Sequence, residues 1–198
     1  MDVRRWTGVL LLLILLTGGC AGEYPRLEIV EPLPDTSQCR VAVLPFGYSG
    51  EFPRGAGIVT KAFSAELASV PGFGVVPEGD VLQFYRQFKL YPKDQPNQEQ
   101  IGIMAQRLDA QYVIAGEILR IIETDAAGAV ETSLTLILEI HGSADGKLLW
   151  NTYHKRNGQE YRHILHYGRV NSLSGLTRRM ADEIIELWIE NGMDQCAH

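Results

Sequence analysis

The sequence has few cysteines and no excess of basic residues. Its 198 residues include three cysteines, too few for the disulfide framework of a small secreted scaffold. Lysine and arginine number 18 against 24 aspartate and glutamate residues, which gives a formal net charge of −6. A protein that binds the phosphate backbone of nucleic acids presents a basic surface, so this balance argues against nucleic acid as a partner.

The sequence also lacks the common catalytic and phosphate-binding motifs. It contains neither the GxSxG nucleophile elbow nor the spacing of a P-loop. Gly55 and Gly57 lie at the start of a predicted helix, where they favour a turn, and a backbone anion site at the helix start is the alternative.

Histidines and strand carboxylates are the remaining candidates for chemistry. His163 and His166 are three residues apart and His154 is nearby, but a metal site needs three or four converging ligands. Glu117 and Glu139 lie in apolar strands, where a pair of buried carboxylates can act as acid and base, although a solvated strand face is commoner. We therefore predict no enzyme, no metal and no cofactor.

The N-terminus has the layout of a secretory signal peptide. Arg4 and Arg5 precede an unbroken apolar run of eight residues, 9–16, and Thr17-Gly18-Gly19 leads into Cys20. A spanning helix needs about 20 apolar residues, so a short transmembrane anchor is the weaker interpretation. The segment resembles the bacterial lipoprotein box, in which cleavage precedes the cysteine and its thiol carries a diacylglycerol.

That resemblance implies a lipid attached at Cys20, with acyl chains of the palmitate class. Each buried methylene contributes about 0.8 kcal/mol, so three chains anchor a protein firmly. Ala21 in place of aspartate implies the periplasmic face of the outer membrane. We predict a signal peptide at 1–19, a lipidated tether at 20–38 and a periplasmic domain at 39–198. The mature chain then has 23 acidic and 16 basic residues, a net charge of −7.

Two cysteines, Cys39 and Cys196, remain after lipidation. Compartments beyond the inner membrane are oxidising, and these two residues make an even pair. We predict a disulfide between them, with two free thiols as the alternative.

Apolar periodicity over the domain predicts an α+β fold with a mixed β-sheet flanked by helices, in the order β-α-β-α-α-β-β-β-α. The helix near residue 98 has a capping signal in Asn97 and Gln100, and Asp145-Gly146 is a strong hairpin signal. The predicted strands are residues 40–46, 73–76, 112–122, 130–140 and 148–152, and the predicted helices are residues 55–70, 81–88, 97–108 and 173–191.

Trp150 ends the Gly-Lys-Leu-Leu-Trp run that follows this hairpin signal. Packing in the core or on a sheet face is one interpretation. The other is an aromatic anchor in a protein interface, where tryptophan is enriched.

The order of the motifs resembles a superfamily of envelope lipoproteins that includes the CsgG, PelC and LpoB types. The matching features are the lipoprotein box, the strand VAVLPF, the stretch from Ala105 to Ile118, the long alternating strand, DGKLLW and a terminal helix. They cover about residues 40–190. Asp109 stands where the family usually has glycine, so it must adopt the helix-end conformation itself.

The resemblance implies two alternative functions. The first is a PelC-like, ring-forming homo-oligomer at the outer membrane that assists export of polysaccharide or protein, its acidic surface suiting a cationic partner. The second is an LpoB-like activator of a peptidoglycan synthase, which needs a tether long enough to cross the periplasm. Residues 21–38 span roughly 60 Å at most, which favours the first function. A domain like the N-terminal part of TolB is a third interpretation.

Overall fold

The computed structural model describes residues 25–34, 39–126, 129–162 and 168–196. The predicted signal peptide, Cys20, His163 and His166 lie outside these residues. The strands are β1 (Arg26–Ile29), β2 (Cys39–Val43), β3 (Phe73–Val75), β4 (Tyr112–Ala126), β5 (Ala129–Gly142) and β6 (Leu148–Asn157). The helices are α1 (Pro53–Ser69), α2 (Glu78–Gln87), α3 (Gln98–Arg107) and α4 (Leu173–Trp188), after which short turns lead to Cys196.

The six strands form one mixed sheet in the order β1-β6-β5-β4-β2-β3. Strands β3, β2 and β4 run parallel, and β4, β5, β6 and β1 form an antiparallel half. The predicted α+β class is confirmed, and the order from β2 to α4 is the predicted one. In the part of the chain that is described, none of the helices combines the length and hydropathy needed to cross a membrane.

Strand β1 lies inside the segment that the sequence analysis assigned to the tether. Arg26 pairs with Tyr153 and Ile29 pairs with Trp150, so these four residues extend the sheet at its edge. Leu27 packs against the core. Prolines flank the strand at positions 25 and 32 without interrupting it, which an edge strand tolerates. The assignment of residues 20–38 to a tether outside the domain is therefore corrected for Arg26–Ile29.

Two pairs of helices cover the two faces of the sheet. Alternate residues of β2 and β4, such as Val41 and Ile114, pack against α1 and α4 in the larger core. The intervening residues, such as Ala42 and Val113, pack against α2 and α3 in a second, smaller core. This alternation is the period of a strand that is buried on both faces.

Local signals end and begin α3 as predicted. Asn97 Oδ1 accepts a hydrogen bond from Gln100 N at 2.9 Å, and Gln100 Oε1 accepts one from Asn97 N at 2.9 Å. Asp109, which follows the helix, has a φ of 51°. Aspartate tolerates this left-handed conformation better than most residues, so it replaces the expected glycine.

A disulfide joins Cys39, the first residue of β2, to Cys196 near the end of the chain. Their Cα atoms are 5.2 Å apart, and both residues are buried in the larger core. The bond links residues 157 positions apart, and it is the same pair that the sequence analysis joined.

A buried ionic cluster joins β6 to α4 through Glu183. One carboxylate oxygen, Oε2, lies 2.5 Å from His154 Nε2 and accepts from Arg156 Nε at 2.9 Å, while Oε1 accepts from the Tyr161 hydroxyl at 3.0 Å. Burial alone would raise the pKa of Glu183, but the hydrogen bonds from its three partners outweigh burial and hold that pKa below its usual value.

Removing the disulfide should destabilise the fold by about 2–5 kcal/mol, because the unfolded chain regains the entropy of a long open loop. The measurement is urea denaturation of the oxidised protein and of the C39S/C196S variant. Wild type under reducing conditions is the control and should match the double variant. Coincident unfolding curves for the oxidised protein and the variant would contradict the role of the bond.

Replacing Glu183 with glutamine should lower the free energy of unfolding by about 2–3 kcal/mol at pH 7, because Arg156 and His154 lose their shared carboxylate. The folded pKa of Glu183 is below its unfolded value, so its stabilisation is full above about pH 4.3 and is lost as the pH falls through the folded pKa. Urea midpoints of wild type and E183Q should therefore converge in acid.

The matched control for this experiment is E186Q, because Glu186 lies one turn further along α4 and is exposed. Its urea midpoint should differ little from that of wild type at any pH. A gap between wild type and E183Q that stays constant down to pH 2 would refute the ionic account of the cluster.

Candidate functional site

A polar cleft of about 430 Å³ lies between the start of α3 and one face of β4, β5 and β6. It brings together Glu117 and Glu139, the two strand carboxylates that the sequence analysis singled out. Both belong to the sheet face opposite the larger core. Its lining combines carboxylates, amides and an imidazole with apolar side chains, among them Gln95, Gln98, Glu117, Ile137, Glu139, His141, Leu148 and Asn151.

The loop between β5 and β6 closes one side of the cleft. Gly146 has a φ of 69°, and a Cβ there would lie 2.1 Å from the Gln98 carbonyl oxygen. Only glycine combines this conformation with so close an approach. The side-chain amide of Gln98 donates to the Asp145 carbonyl at 3.1 Å, which fixes the start of α3 against the loop.

The second amide of the lining is also held in place. Gln95 Nε2 donates to the Gly116 carbonyl at 3.2 Å, so the segment before α3 is fixed against β4. The polar groups of the cleft therefore come from the start of α3, the loop between β5 and β6, and three strands of the sheet. Hydrogen bonds hold the helix start and the loop in place.

His141 and Glu139 form a pair at the floor of the cleft. Nε2 of His141 lies 3.1 Å from Glu139 Oε2, and its Nδ1 lies 3.0 Å from the Gly146 carbonyl oxygen. Both partners are acceptors, so both ring nitrogens donate when the ring is protonated. The hydrogen bond from His141 holds the pKa of Glu139 below its usual value, against the opposing effect of burial.

The carboxylates and an amide oxygen give the cleft several hydrogen-bond acceptors. A carboxyl that acts as a general acid near neutral pH needs a raised pKa, whereas the pKa of Glu139 is lowered. Asn151 Oδ1 is buried and has no hydrogen-bond partner among the residues that the structure describes. The ionised carboxylate of Glu139 and the free amide oxygen of Asn151 suit a ligand that carries hydroxyl or ammonium groups.

Trp150 does not contribute to this cleft or to the surface. Only 1 % of the residue is exposed, and it belongs to the larger core. A Cβ on Gly192, after α4, would lie 3.9 Å from the Trp150 ring, so the chain end packs over the indole. The interface interpretation is therefore corrected, and the core interpretation is the one that the burial supports.

The histidines do not form a metal site in the described segments. His154 is buried against Glu183 in the ionic cluster. Across residues 25–34, 39–126, 129–162 and 168–196, no group of three or more histidine, cysteine, aspartate or glutamate side chains is placed to hold a metal ion.

The glycines that were expected to form the turn into the first helix lie inside that helix. Helix α1 begins at Pro53, so Gly55 and Gly57 belong to its first turns and do not form the turn that precedes it. A Cβ on Gly55 would lie 2.5 Å from Ile121 Cδ1, so a larger residue there would displace the Ile121 side chain that packs on α1. Proline at the first helical position explains the earlier start.

Sequence reasoning missed Gln95, Gln98, His141 and Asn151 as members of one site. The capping box and the Asp145-Gly146 turn locate two segments of the chain. No local pattern shows that these segments meet at the cleft, because their contact is tertiary. The alternation of β5 does place Glu139 and His141 on one face, which was the available signal.

The sequence matches no protein-family model and no curated protein. Among solved structures, the PelC dodecamer from Paraburkholderia phytofirmans is similar with a TM-score of 0.52 at 13% identity, covering 87% of this chain and 97% of that chain. Lipoprotein GNA1162 from Neisseria meningitidis is similar with a TM-score of 0.54 at 16% identity, covering 77% and 99%.

The LpoB C-terminal domain from Salmonella enterica is less similar, with a TM-score of 0.41 at 16% identity, covering 77% of this chain and 96% of that chain. The similarity to PelC and to the GNA1162 lipoprotein confirms the expected resemblance at the level of the fold. The chain has the fold of PelC and of the GNA1162 lipoprotein.

Proposed function

We propose that the protein is a non-enzymatic, lipid-anchored subunit on the periplasmic face of the outer membrane. It assembles with copies of itself into a ring and assists export of a polysaccharide or a protein. The observation that carries this proposal is the pairing of β1 with β6, because that pairing limits how far the domain lies from an anchor at Cys20.

Only residues 21–25 separate Cys20 from the first residue of β1. Six Cα–Cα steps span about 20 Å at full extension, against about 60 Å for a chain that is free as far as residue 38. A lipid on Cys20 therefore holds the domain against the membrane surface. The LpoB-like alternative requires a reach across the periplasm, which this link does not provide.

The direction of β1 orients the domain relative to its anchor. Arg26 pairs with Tyr153 and the strand runs antiparallel to β6, so the chain enters from the end at which β6 stops at Asn157. The hairpin of β4 and β5 extends past Asn157, which pairs with Ser133, in the same direction. The anchor and this hairpin leave the same end of the sheet, so the hairpin end faces the membrane.

The fold supports the ring. PelC, whose fold the chain has, is a dodecamer in its solved structure. Copies that are each held at the membrane by a short link share one plane and one orientation, which lowers the entropic cost of closing a ring.

The polar cleft supports a role in handling a polymer. Its ionised Glu139, the exposed Glu117 and the free amide oxygen of Asn151 accept hydrogen bonds from hydroxyl or ammonium groups. The formal net charge of −6 is of the sign that attracts a cationic partner. Together these groups suit binding of a passing chain without a chemical step.

The proposal is tested by comparing wild type with the C20S variant in fractionated cells and in solution. Wild type should lie in the outer-membrane fraction, C20S should leave it, and purified C20S should sediment as an oligomer because the domain carries the ring contacts. The C39S/C196S variant is the matched control and should stay with the membrane. C20S retained in the membrane fraction would contradict the anchor, and a strict monomer at high concentration would contradict the ring.

A further inference from the structure

A groove runs between α1 and α2 beside the carboxyl ends of β2 and β3. It consists of two adjoining cavities of about 550 Å³ and 300 Å³. Volumes in this range are typical of sites for small molecules. We call it the α1–α2 groove, and both cavities are lined by Pro45, Thr60, Lys61, Glu78 and Leu82.

The walls of the larger cavity are mostly apolar. Phe46 and Leu82 contribute hydrocarbon surface, and Ala56 leaves room on the side of α1. The hydroxyl of Thr60 is already satisfied, because it accepts from Phe46 N at 3.0 Å and donates to the Ala56 carbonyl at 2.9 Å. The interior therefore favours an apolar body over a polar one.

Gly57 keeps the groove open at the expense of helix stability. It lies inside α1, where glycine is a poor helix former, and no heavy atom lies within 4 Å of the position a Cβ would take. Gly55 is different, because Ile121 packs against its backbone. The contacts within the chain explain Gly55 but not Gly57, whose missing side chain leaves space for an occupant of the groove.

The charged groups of the groove carry a positive surplus. Lys61 Nζ lies 3.7 Å from Glu78 Oε2, and both side chains are more than half exposed. Lys93 also lines the larger cavity and has no ion-pair partner within the described segments. Two ammonium groups thus face one carboxylate in a chain whose formal net charge is −6. This local charge is complementary to an anion.

An exposed aromatic ring stands at the rim on a rigid turn. Tyr91 is 69 % exposed, yet Asp94 Oδ2 accepts from Tyr91 N at 2.8 Å and Asp94 N donates to the Tyr91 carbonyl at 2.8 Å. These bonds fix the backbone of Tyr91, so its ring is available at the rim to pack against the apolar part of a ligand.

From this geometry we propose that the α1–α2 groove binds an anionic amphiphile, a small molecule with an apolar body and one carboxylate or phosphate group. The body occupies the larger cavity beside Gly57, and the anion lies between Lys61 and Lys93. A continuous helix or strand laid along the groove would have to separate Lys61 from Glu78, because that pair borders both cavities. A small amphiphile fits the larger cavity without separating them.

The test is calorimetric titration of the full chain with laurate, below the micelle concentration, in the C20S background so that no attached lipid competes. We expect one laurate per chain. K61Q and K93Q should each raise Kd about tenfold, the scale of one lost charge-assisted contact. E78Q should lower Kd about threefold because Lys61 loses its competing carboxylate. G57F should abolish binding by filling the cavity.

The matched control is K147Q, because Lys147 pairs with Asp145 on a different loop and should leave Kd unchanged. Circular dichroism checks that each variant is folded, and if G57F is not, the opposite shifts of K61Q and E78Q still decide the question. The absence of laurate binding, or a Kd that is unchanged in all four groove variants, would overturn the proposal.

Two further ligands identify the source of the anion. Binding of lysophosphatidylglycerol without binding of inorganic phosphate would support a lipid-derived amphiphile. Equal binding of inorganic phosphate would overturn the role of the apolar cavity, and equal binding of neutral octyl glucoside would overturn the role of the lysines. Loss of laurate binding on assembly of the ring would show that a second copy covers the groove and would also count against the proposal.

Discussion

The pairing of β1 with β6 is the interaction on which this account of the protein depends. The pairing covers β6, which would otherwise be the edge of the sheet, and the amides of Val30 and Glu31 donate to the Leu149 carbonyl at 2.8 and 3.0 Å. Because of this pairing, a segment that its sequence predicts to be a linker is part of the domain. The consequence is mechanical, because the lipid that we propose at Cys20 would then keep the first residue of β1 within about 20 Å of the membrane. A segment that is free as far as residue 38 would restrict neither the distance of the domain from the membrane nor its orientation.

The rest of the fold makes the domain rigid enough to transmit the constraint. The disulfide joins the chain end to β2, and the ionic cluster around Glu183 joins α4 to β6. Both links hold together elements that pack around the larger core. The polar cleft lies on the opposite face of the sheet, and the α1–α2 groove is lined in part by residues of this core, such as Phe46. The two sites differ in the groups that they present: the cleft has carboxylate and amide oxygens that accept hydrogen bonds, and the groove has ammonium groups. One domain thus offers separate surfaces for a hydrogen-bond donor and for an anion.

Much of the fold was predictable because strong local signals agree with the tertiary structure. The alternation of Leu134, Leu136 and Leu138 predicts β5, the Asn97 and Gln100 box predicts the start of α3, and Asp109 adopts the expected left-handed conformation. Strand β1 was missed because four residues between prolines carry too short a pattern, and their strand form depends on β6, more than 100 residues away. The cleft and the groove were missed for a related reason: each forms where segments distant in the sequence meet. The burial of Trp150 depends on the chain end that packs over it, which no local pattern reports.

Amide hydrogen exchange across residues 26–31, with the chain attached to lipid through Cys20, tests the central claim most directly. If β1 is part of the sheet, the amides of this segment that donate to β6, those of Val30 and Glu31 among them, exchange as slowly as their partners in β6. Deuterium uptake is read by mass spectrometry on peptides from this segment and from Leu148–Asn157. Exchange at the rate of an unstructured chain would contradict the account, because the anchor would then be a free tether of about 18 residues and the domain would not be held at the membrane.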